Sequence, residues 1–305
     1  MRVVVMGAGG VGGYFGARLA RAGTSVAVIA RGEHLTAIRR GGLRVRSQSE
    51  GEFVVHVEAT DVPAGPPVDA ILFCVKSFDT RTATTLLRPI VGPDTAVVSF
   101  QNGVDNPDII DEVLGSGHAV GGAAYVFAGI EASGVIAHRF GGRLAFGELD
   151  GTMRPRVLAL KAAFDAAGVP AQVVPDVRRV LWEKYLLICA QAGLTALTRS
   201  PSGVVRDTPE TWRMYRLVLE ELAAVARAAG VALPLEVVDT ILAAAAALDR
   251  RALSSLHDDL VAGRRLELEA LHGHAVRLGE RLGVPTPMTF AIYAALKPHA
   301  AGRRD

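Results

Sequence analysis

The residues with the clearest chemical meaning are three glycines that follow the first apolar stretch of the chain. Gly7, Gly9 and Gly12 have G-x-G-x-x-G spacing and stand between a β-branched run and a helical pattern. Gly7 permits a tight turn, Gly9 lets a diphosphate approach the backbone, and Gly12 lets helix and strand pack closely. The helix N-terminus would offer free N–H groups to the phosphates. A dinucleotide is therefore predicted to bind the loop residues Gly7, Ala8, Gly9, Gly10, Val11 and Gly12.

Arg31 indicates which dinucleotide is bound. The second strand pattern, residues 25–30, ends at Arg31, where proteins that prefer NAD usually carry an acid that binds the ribose 2′-hydroxyl. The nearest acid here is Glu33. A guanidinium can hold two oxygens of a 2′-phosphate at once, so the sequence favours NADPH, with an ordinary solvated arginine as the alternative.

The composition excludes several classes of protein. The 305 residues allow two domains, and half of them are hydrophobic, which leads us to predict a homodimer. A net charge of +2 with interspersed signs indicates no nucleic-acid partner. The apolar stretches are too short for a membrane span, and a strand pattern at the very start leaves no room for a signal peptide, so we expect a cytoplasmic protein. Cys74 and Cys189 lie in apolar surroundings and are predicted to be reduced core residues, with no metal site.

Strand and helix patterns alternate in the first half of the chain and give way to helices alone in the second. Strands are predicted at residues 68–75, 95–100, 118–126, 135–138, 143–147 and 171–174, and helices at 80–87 and 154–167. Later helices are predicted at 180–198, 210–229, 234–248, 253–262 and 266–282. The fold class is α/β, with an N-terminal Rossmann-type doubly wound sheet in residues 1–175 and an all-helical domain in residues 176–305. We expect the catalytic groups to face a cleft between these domains.

Two polar side chains follow strands of the predicted sheet. Lys76 comes directly after the strand at 68–75, and Asn102 follows the strand at 95–100 within Gln101-Asn102-Gly103. A lysine there can reach cofactor or substrate oxygens, and an asparagine offers both a donor and an acceptor. Turn chemistry is the alternative for both residues, because Asn-Gly is a common turn dipeptide.

Three residues of the helical half could contribute to catalysis. Lys184 lies inside a strongly apolar helix, and burial would lower its pKa toward a value that suits proton transfer. A lysine that extends to solvent at the helix edge is an equal alternative. The helix break at Gly263 could turn Ser255 and Glu267 toward one point, but by themselves they are typical of a helix cap and a first-turn acid.

Ordered motifs along the whole chain resemble the ketopantoate reductase (2-dehydropantoate 2-reductase) family. The segment GAGGVGGYFGARLARAG resembles the first motif of that family, VKSFDT resembles its V-K motif, and QNGVDN resembles its Q-N-G motif. The segment WEKYLLICAQAGLTALT resembles its W-x-K-L…L-T-A-L, and SSLHDDLVAGRRLELEALHG resembles its S-S-M-x-x-D…G-R-x-T-E. The final helix pattern, GVPTPMTFAIYAALKP, is similar to the family's closing G-V-P-T-P helix.

The resemblance implies a role for each candidate. It implies that Lys184 protonates the substrate carbonyl while NADPH delivers hydride, and that Lys76 binds the cofactor. The Q-N-G asparagine is Asn102, the substrate-binding serine is Ser255, and the glutamate near the nicotinamide and substrate is Glu267. An ammonium suits this reaction because hydride addition builds negative charge on the carbonyl oxygen.

The pocket departs from the family pattern at three positions. Asparagines are usual four and eight residues after the lysine and three before the serine, where this chain has Ile188, Ala192 and Ala252. Their loss removes hydrogen bonds to substrate that are each worth about 0.5–1.5 kcal/mol. Replacement groups for these bonds would come from Gln191, Thr195 or Ser202.

The sequence therefore predicts an NADPH-dependent reductase that converts 2-dehydropantoate to (R)-pantoate, on the route to pantothenate and coenzyme A. The first alternative is a paralogous reductase of another 2-oxo acid. The second is a non-catalytic NADPH-binding sensor, against which Lys184, Ser255 and Glu267 argue. Hydroxyacid dehydrogenases of the 6-phosphogluconate type fit less well, because they usually place an asparagine at the position of Ile188.

Overall fold

The chain divides into two compact units in a computed structural model that describes residues 1–303. The first unit comprises Met1–Gln101 and Asp105–Val177, and the second comprises Asn102–Val104 and the chain from Arg178 onward. The first unit holds a sheet with flanking helices, and the second is helical. The predicted α/β class, a Rossmann-type doubly wound sheet with a helical C-terminal part, is confirmed.

The first unit consists of ten strands and five α-helices within the described residues. The strands are β1 (Arg2–Met6), β2 (Ser25–Ile29), β3 (Leu43–Ser47), β4 (Gly51–Val55), β5 (Glu58–Thr60), β6 (Ala70–Phe73), β7 (Ala96–Ser99), β8 (Ala119–Ala132), β9 (Val135–Glu148) and β10 (Ala171–Val173). The helices are α1 (Gly10–Arg21), α2 (Gly32–Gly41), α3 (Thr80–Leu86), α4 (Asn106–Leu114) and α5 (Pro155–Ala166), with 3₁₀ turns at Ser77–Asp79 and Arg88–Ile90.

All ten strands belong to one sheet. Its order is β4-β3-β9-β8-β7-β6-β1-β2-β5, and β10 pairs with β9. The strands from β8 to β5 along this order run parallel, whereas β8–β9 and β3–β4 are antiparallel hairpins. The carboxyl ends of β1, β2, β6 and β7 therefore meet at one edge of the sheet, which is the edge where doubly wound folds bind ligands.

Strand β1 shows why the sheet is covered on both sides. Val3 and Val5 belong to one buried apolar cluster, and Val4 and Met6 belong to another. Side chains alternate between the faces of a strand, so both faces of β1 are packed against apolar layers. A continuous apolar run of this kind is the sequence pattern of a buried parallel strand.

The long β8–β9 hairpin corrects one prediction. Residues 135–138 and 143–147 are not separate strands but parts of the continuous strand β9. Gly141 and Gly142 have φ of +86° and +122°, and the register with β8 shifts between Tyr125 and Val126. A glycine pair with positive φ can form a bulge that bends a strand without ending it. The two glycines that suggested a break between two strands therefore form a bulge within one strand.

A buried ion pair joins the end of β9 to α5. Glu148 accepts two hydrogen bonds from the Arg156 guanidinium, at 2.8 Å from Nε and 2.6 Å from Nη2. The Glu148 side chain is 2% exposed and the Arg156 side chain 10%. The bidentate geometry satisfies both carboxylate oxygens, which makes a charge tolerable at a buried position.

Seven α-helices form the second unit within the described residues, together with one π-helical turn and a 3₁₀ turn at Lys297–His299. They are α6 (Val177–Thr198), α7 (Ser202–Asp207), α8 (Pro209–Ala228), α9 (Val237–Ala246), α10 (Ser255–Val261), α11 (His274–Leu282) and α12 (Pro287–Leu296), and the π-helical turn spans Glu269–Gly273. No helix in residues 1–303 is long and apolar enough to cross a membrane.

Two predictions about the second unit were wrong in detail. The segment 266–282 is not one helix, because the π-helical turn precedes α11, and π turns frequently mark functional sites. The N-cap of α10 is Ser254, whose Oγ accepts a hydrogen bond from the His257 N–H at 3.1 Å. Ser255 is therefore the first residue of the helix and not its cap.

Candidate active site

The glycine turn between β1 and α1 combines a tight turn, a close helix–strand contact and one open side. Gly7 has φ of +99°, and its N–H and that of Ala8 both donate to the Ile29 carbonyl at 3.2 Å. A Cβ on Gly12 would lie 2.2 Å from the Gly7 carbonyl oxygen, whereas a Cβ on Gly9 would have no atom within 4 Å. Gly12 is thus required for packing, and Gly9 leaves the backbone open to a ligand.

The β8–β9 hairpin packs directly against this loop. A Cβ on Gly10 would lie 2.0 Å from the Ala128 carbonyl oxygen, so only glycine fits at this contact. Ala8 is buried, while Gly9, Gly10 and Val11 are half-buried. The loop is therefore held in place by β1 and β2 and by the β8–β9 hairpin.

A histidine connects the loop to the turn of the hairpin. His34, on α2, has Nε2 2.8 Å from the Ala8 carbonyl oxygen, and its Nδ1 is 3.0 Å from the Gly134 nitrogen. A backbone N–H can only donate, so Nδ1 accepts and Nε2 carries the proton that is donated to Ala8. Both bonds are made by the neutral ring, and sequence analysis did not identify this residue.

Arg31 lies where a group that recognises the ribose is expected. It is the N-cap residue of α2, two residues beyond the end of β2, and it is exposed. Within the part of the chain that the structure describes, its guanidinium makes no ion pair with a carboxylate. The charge of Arg31 is therefore available to an anionic ligand.

The loops after β6 and β7 are tied together by Gln101, a second residue that sequence analysis did not single out. Its Nε2 donates to the Val75 carbonyl at 3.0 Å and to Thr80 Oγ1 at 2.8 Å, and it is buried. Val75 precedes Lys76, which is half-buried at the start of the 3₁₀ turn. Gln101 therefore fixes the backbone from which Lys76 extends, and Asn102 follows Gln101 directly.

Lys76 lies three residues beyond the end of β6, not directly after it as the sequence predicted. The backbone just before it borders the glycine turn, because a Cβ on Gly7 would lie 3.0 Å from the Val75 nitrogen. The structure thus brings the glycine turn, Arg31 and the Lys76 loop to one edge of the sheet in the first unit.

Lys184, Asn102, Ser255 and Glu267 all belong to the second unit. Lys184 is buried, with 9% of its surface exposed, on the long helix α6. Glu267 is 7% exposed and lies two residues before the π-helical turn, while Ser255 is exposed. Lysine and glutamate are rarely buried to this degree unless they are paired.

Two hydrogen bonds attach the π-helical turn to α6 next to Lys184. Tyr185 donates from its hydroxyl to the Leu271 carbonyl at 2.5 Å, and His272 Nε2 lies 2.9 Å from the Cys189 carbonyl oxygen. The Leu271 N–H in turn donates to the Glu267 carbonyl at 3.2 Å. These bonds connect the segment that carries Glu267 to the helix that carries Lys184.

Burial sets the protonation states of two groups at this junction. It lowers the pKa of His272 to about 4, so the ring is neutral at neutral pH and Nε2 donates to Cys189. It also raises the pKa of the Cys189 thiol, which therefore stays protonated. Cys74 and Cys189 are both free thiols.

The polar residues near the missing asparagines bond to one another. Gln191 Nε2 donates to Ser202 Oγ at 2.5 Å, and that hydroxyl donates to the Ala252 carbonyl at 2.9 Å. Thr195 is fully buried, and its hydroxyl lies 2.7 Å from the Gln191 carbonyl oxygen and 2.8 Å from Ser254 Oγ. These hydroxyl and amide donors are therefore engaged within the helical unit.

The doubly wound sheet and the glycine turn at its carboxyl edge define a dinucleotide-binding protein. The sequence pattern of the family described as Ketopantoate reductase PanE/ApbA matches residues 3–151, and that of its C-terminal part matches residues 176–300. The chain belongs to the ketopantoate reductase family, which consists of pyridine-nucleotide-dependent reductases.

Similar proteins extend over nearly the whole chain. A 2-dehydropantoate 2-reductase of Halobacterium salinarum is 32% identical over 291 residues, which are 94% of this chain and 95% of that protein. The crystal structure of a PanE/ApbA family ketopantoate reductase from Ralstonia eutropha JMP134 is 37% identical, with a TM-score of 0.90 over 98% of each chain. D-mandelate dehydrogenase, solved with NADH and anilino(oxo)acetate, shares the fold at 21% identity, with a TM-score of 0.89 over 98% of each chain.

Proposed function

We propose that this protein reduces 2-dehydropantoate to (R)-pantoate with NADPH, on the route to pantothenate and coenzyme A. The observation that carries the proposal is the burial of Lys184 on α6, at the position where the family has its proton donor. A relative named 2-dehydropantoate 2-reductase at 32% identity supports the choice of substrate.

The residues of the first unit fit the cofactor. The open side at Gly9 and the N-terminus of α1 would hold the diphosphate, and the Arg31 guanidinium would hold the 2′-phosphate. Lys76 would bind cofactor oxygens at the same edge of the sheet. Bound NADPH supplies the hydride that adds to the substrate carbonyl carbon.

Residues of the second unit would complete the reaction by supplying the proton. As the carbonyl oxygen gains negative charge, the Lys184 ammonium would stabilise it and transfer one proton, which leaves a 2-hydroxy acid and a neutral amine. Glu267 would keep the ammonium charged and oriented. Asn102 and Ser255 would bind the carboxylate and hydroxyl of the substrate.

Reduction of a different 2-oxo acid is the second candidate function, and the composition of α6 favours it. Ile188 and Ala192 replace two asparagines on the turns after Lys184, and Gln191 and Thr195 are bonded to neighbours. The loss of these two amide side chains favours an apolar substituent over a hydroxyl, because a buried unpaired hydroxyl costs about 1–3 kcal/mol. D-mandelate dehydrogenase, which was solved with anilino(oxo)acetate, is a precedent within this fold.

The test is NADPH consumption by the purified protein across 2-dehydropantoate, branched aliphatic 2-oxo acids and aromatic 2-oxo acids. The proposal requires 2-dehydropantoate to give the highest kcat/KM. A preference for an apolar 2-oxo acid would establish the second candidate. NADPH binding without turnover of any 2-oxo acid would favour a sensor.

Lys184→Ala should lower kcat by about 100-fold or more and leave NADPH binding intact, because only the proton donor is removed. Lys161→Ala, on α5, where the lysine side chain is 37% exposed, is the matched control and should retain full activity. Normal turnover by Lys184→Ala would exclude Lys184 as the acid.

Arg31→Ala should weaken NADPH binding about 10-fold or more and change NADH binding little, since NADH has no 2′-phosphate. Dissociation constants from nicotinamide fluorescence would measure both. If the binding of NADPH and of NADH were weakened equally, the result would contradict the proposed role of Arg31 and the preference for NADPH.

The homodimer and the cytoplasmic location stay predictions from the sequence. Light scattering coupled to size-exclusion chromatography would determine the first, and a monomer at micromolar concentration would contradict it.

A further inference from the structure

We infer that His34 is a positioning residue for the diphosphate of the cofactor, an inference that rests on the cofactor site proposed above. His34 lies outside the glycine turn in sequence, on α2, three residues after Arg31. Its ring is nevertheless bonded to the carbonyl of Ala8, between the first two glycines of the turn.

The bond to Ala8 fixes the direction of a neighbouring donor. The described peptide bonds are trans, so the carbonyl and the N–H of the Ala8–Gly9 peptide point in opposite directions across one rigid plane. With the carbonyl held by Nε2 at 2.8 Å, the Gly9 N–H is aimed away from His34. Gly9 is the residue that leaves the backbone open to a ligand, so His34 orients an N–H that the diphosphate would accept.

The second ring nitrogen anchors the histidine to a rigid support. Nδ1 accepts from the Gly134 N–H at 3.0 Å, and the Gly134 carbonyl accepts from the Arg44 N–H at 2.9 Å. A Cβ on Gly134 would lie 3.0 Å from Ala37 Cβ, so the hairpin turn packs tightly on α2. The ring thus connects the glycine turn to the β8–β9 hairpin and, through the Arg44–Gly134 bond, to β3. These contacts hold the glycine turn in its binding geometry before the cofactor binds.

The role of His34 can be separated from a general structural role by two ligands. NADP⁺ contains both the 2′-phosphate and the diphosphate, whereas adenosine 2′-monophosphate contains only the first. Calorimetry would measure both dissociation constants for the wild type, His34→Leu, His34→Asn and His34→Gln. Thr36→Ala is the matched control, because Thr36 is exposed on the same helix and its hydroxyl donates to the Gly32 carbonyl, away from the loop and the hairpin.

We expect His34→Leu to weaken NADP⁺ binding roughly 3- to 10-fold and to leave adenosine 2′-monophosphate binding unchanged. In His34→Asn the side-chain oxygen can take the place of Nδ1 and accept from the Gly134 N–H, but the side chain is too short to reach the Ala8 carbonyl. This variant should therefore weaken NADP⁺ binding as much as His34→Leu does, while the hairpin contact is preserved. His34→Gln carries a donor and an acceptor and should recover most of the affinity. The control should bind both ligands as the wild type does.

Two results would overturn the inference while the proposed function stands: NADP⁺ affinity unchanged in His34→Asn, or equal weakening of both ligands. Failure of the wild type to bind NADP⁺ would overturn the proposed cofactor site and this inference together. The ratio of the two dissociation constants makes the outcome independent of the fraction of folded protein.

Discussion

Acid should destabilise the helical unit through His272. The side chain is fully buried, and burial lowers its pKa from 6.5 to about 4. In the unfolded chain the ring is free to take up a proton at its ordinary pKa. Between these two values the unfolded state binds a proton that the folded state refuses, so stability is complete above about pH 6.5 and is lost as the pH falls toward 4.

The size of the effect follows from the difference between the two pKa values. About 2.5 pKa units correspond to roughly 3 kcal/mol, since each unit is worth about 1.36 kcal/mol. That amount is a large part of the stability of an ordinary domain, which is about 5–15 kcal/mol. One histidine should therefore contribute much of the acid sensitivity of this unit.

Urea denaturation followed by tryptophan fluorescence is the suitable assay, because Trp182 and Trp212 both belong to the helical unit and are the only tryptophans of the chain. His272→Leu removes the titrating ring, and the Cys189 carbonyl can still accept the N–H of Gly193 within α6. The free energy of unfolding of the wild type should fall by about 3 kcal/mol relative to this variant between pH 7 and pH 4.

His299→Leu is the control, because it removes an exposed histidine of the same unit. Its free energy of unfolding should follow the wild type at every pH. Parallel curves for the wild type and His272→Leu would refute the reasoning, since the buried ring would then not be the group that takes up the proton.

The first unit offers two further predictions. Gly9→Ala should fold normally and bind NADP⁺ at least about 10-fold more weakly, because its methyl group enters only the open side of the turn. Gly12→Ala should instead lower the stability of the protein, because its methyl group would clash with the Gly7 carbonyl oxygen. Equal melting temperatures for the two variants would contradict this prediction. Glu148→Gln should cost about 3 kcal/mol in chemical denaturation followed by circular dichroism, because it leaves the Arg156 charge buried without its partner. Asp165→Asn, at an exposed ion pair on the same helix, should cost less than about 1 kcal/mol, and a similar loss in both variants would argue against the burial effect.

The candidate site was predictable where it depends on neighbours in sequence. A strand, a turn with Gly7, Gly9 and Gly12, and a helix are all encoded within one short segment, and the structure places them as expected. The apolar surroundings of Lys184 likewise follow from its own helix, and its burial agrees with them. Predictions of this kind succeed because periodicity and turn chemistry act over a few residues.

The residues that support the site could not be found in this way. His34 contacts Ala8 and Gly134, which are 26 and 100 residues away in sequence, and Gln101 contacts the Val75 carbonyl, 26 residues away. The local sequence around a polar side chain does not indicate which distant residue the side chain will contact. The only available signal was position, since His34 lies three residues after the residue predicted to bind the ribose and Gln101 lies two residues after the end of β7.

The sequence alone determined the alternation of strands and helices, the phosphate-binding turn and the helical character of the second half, because these depend on side-chain spacing within single elements. Only the tertiary structure decided that β9 continues through Gly141 and Gly142, that a π-helical turn precedes α11, and that His272 is buried and neutral. Each of these depends on pairing with a partner strand or helix far along the chain. Such pairing fixes a backbone and sets a pKa only after the chain has folded.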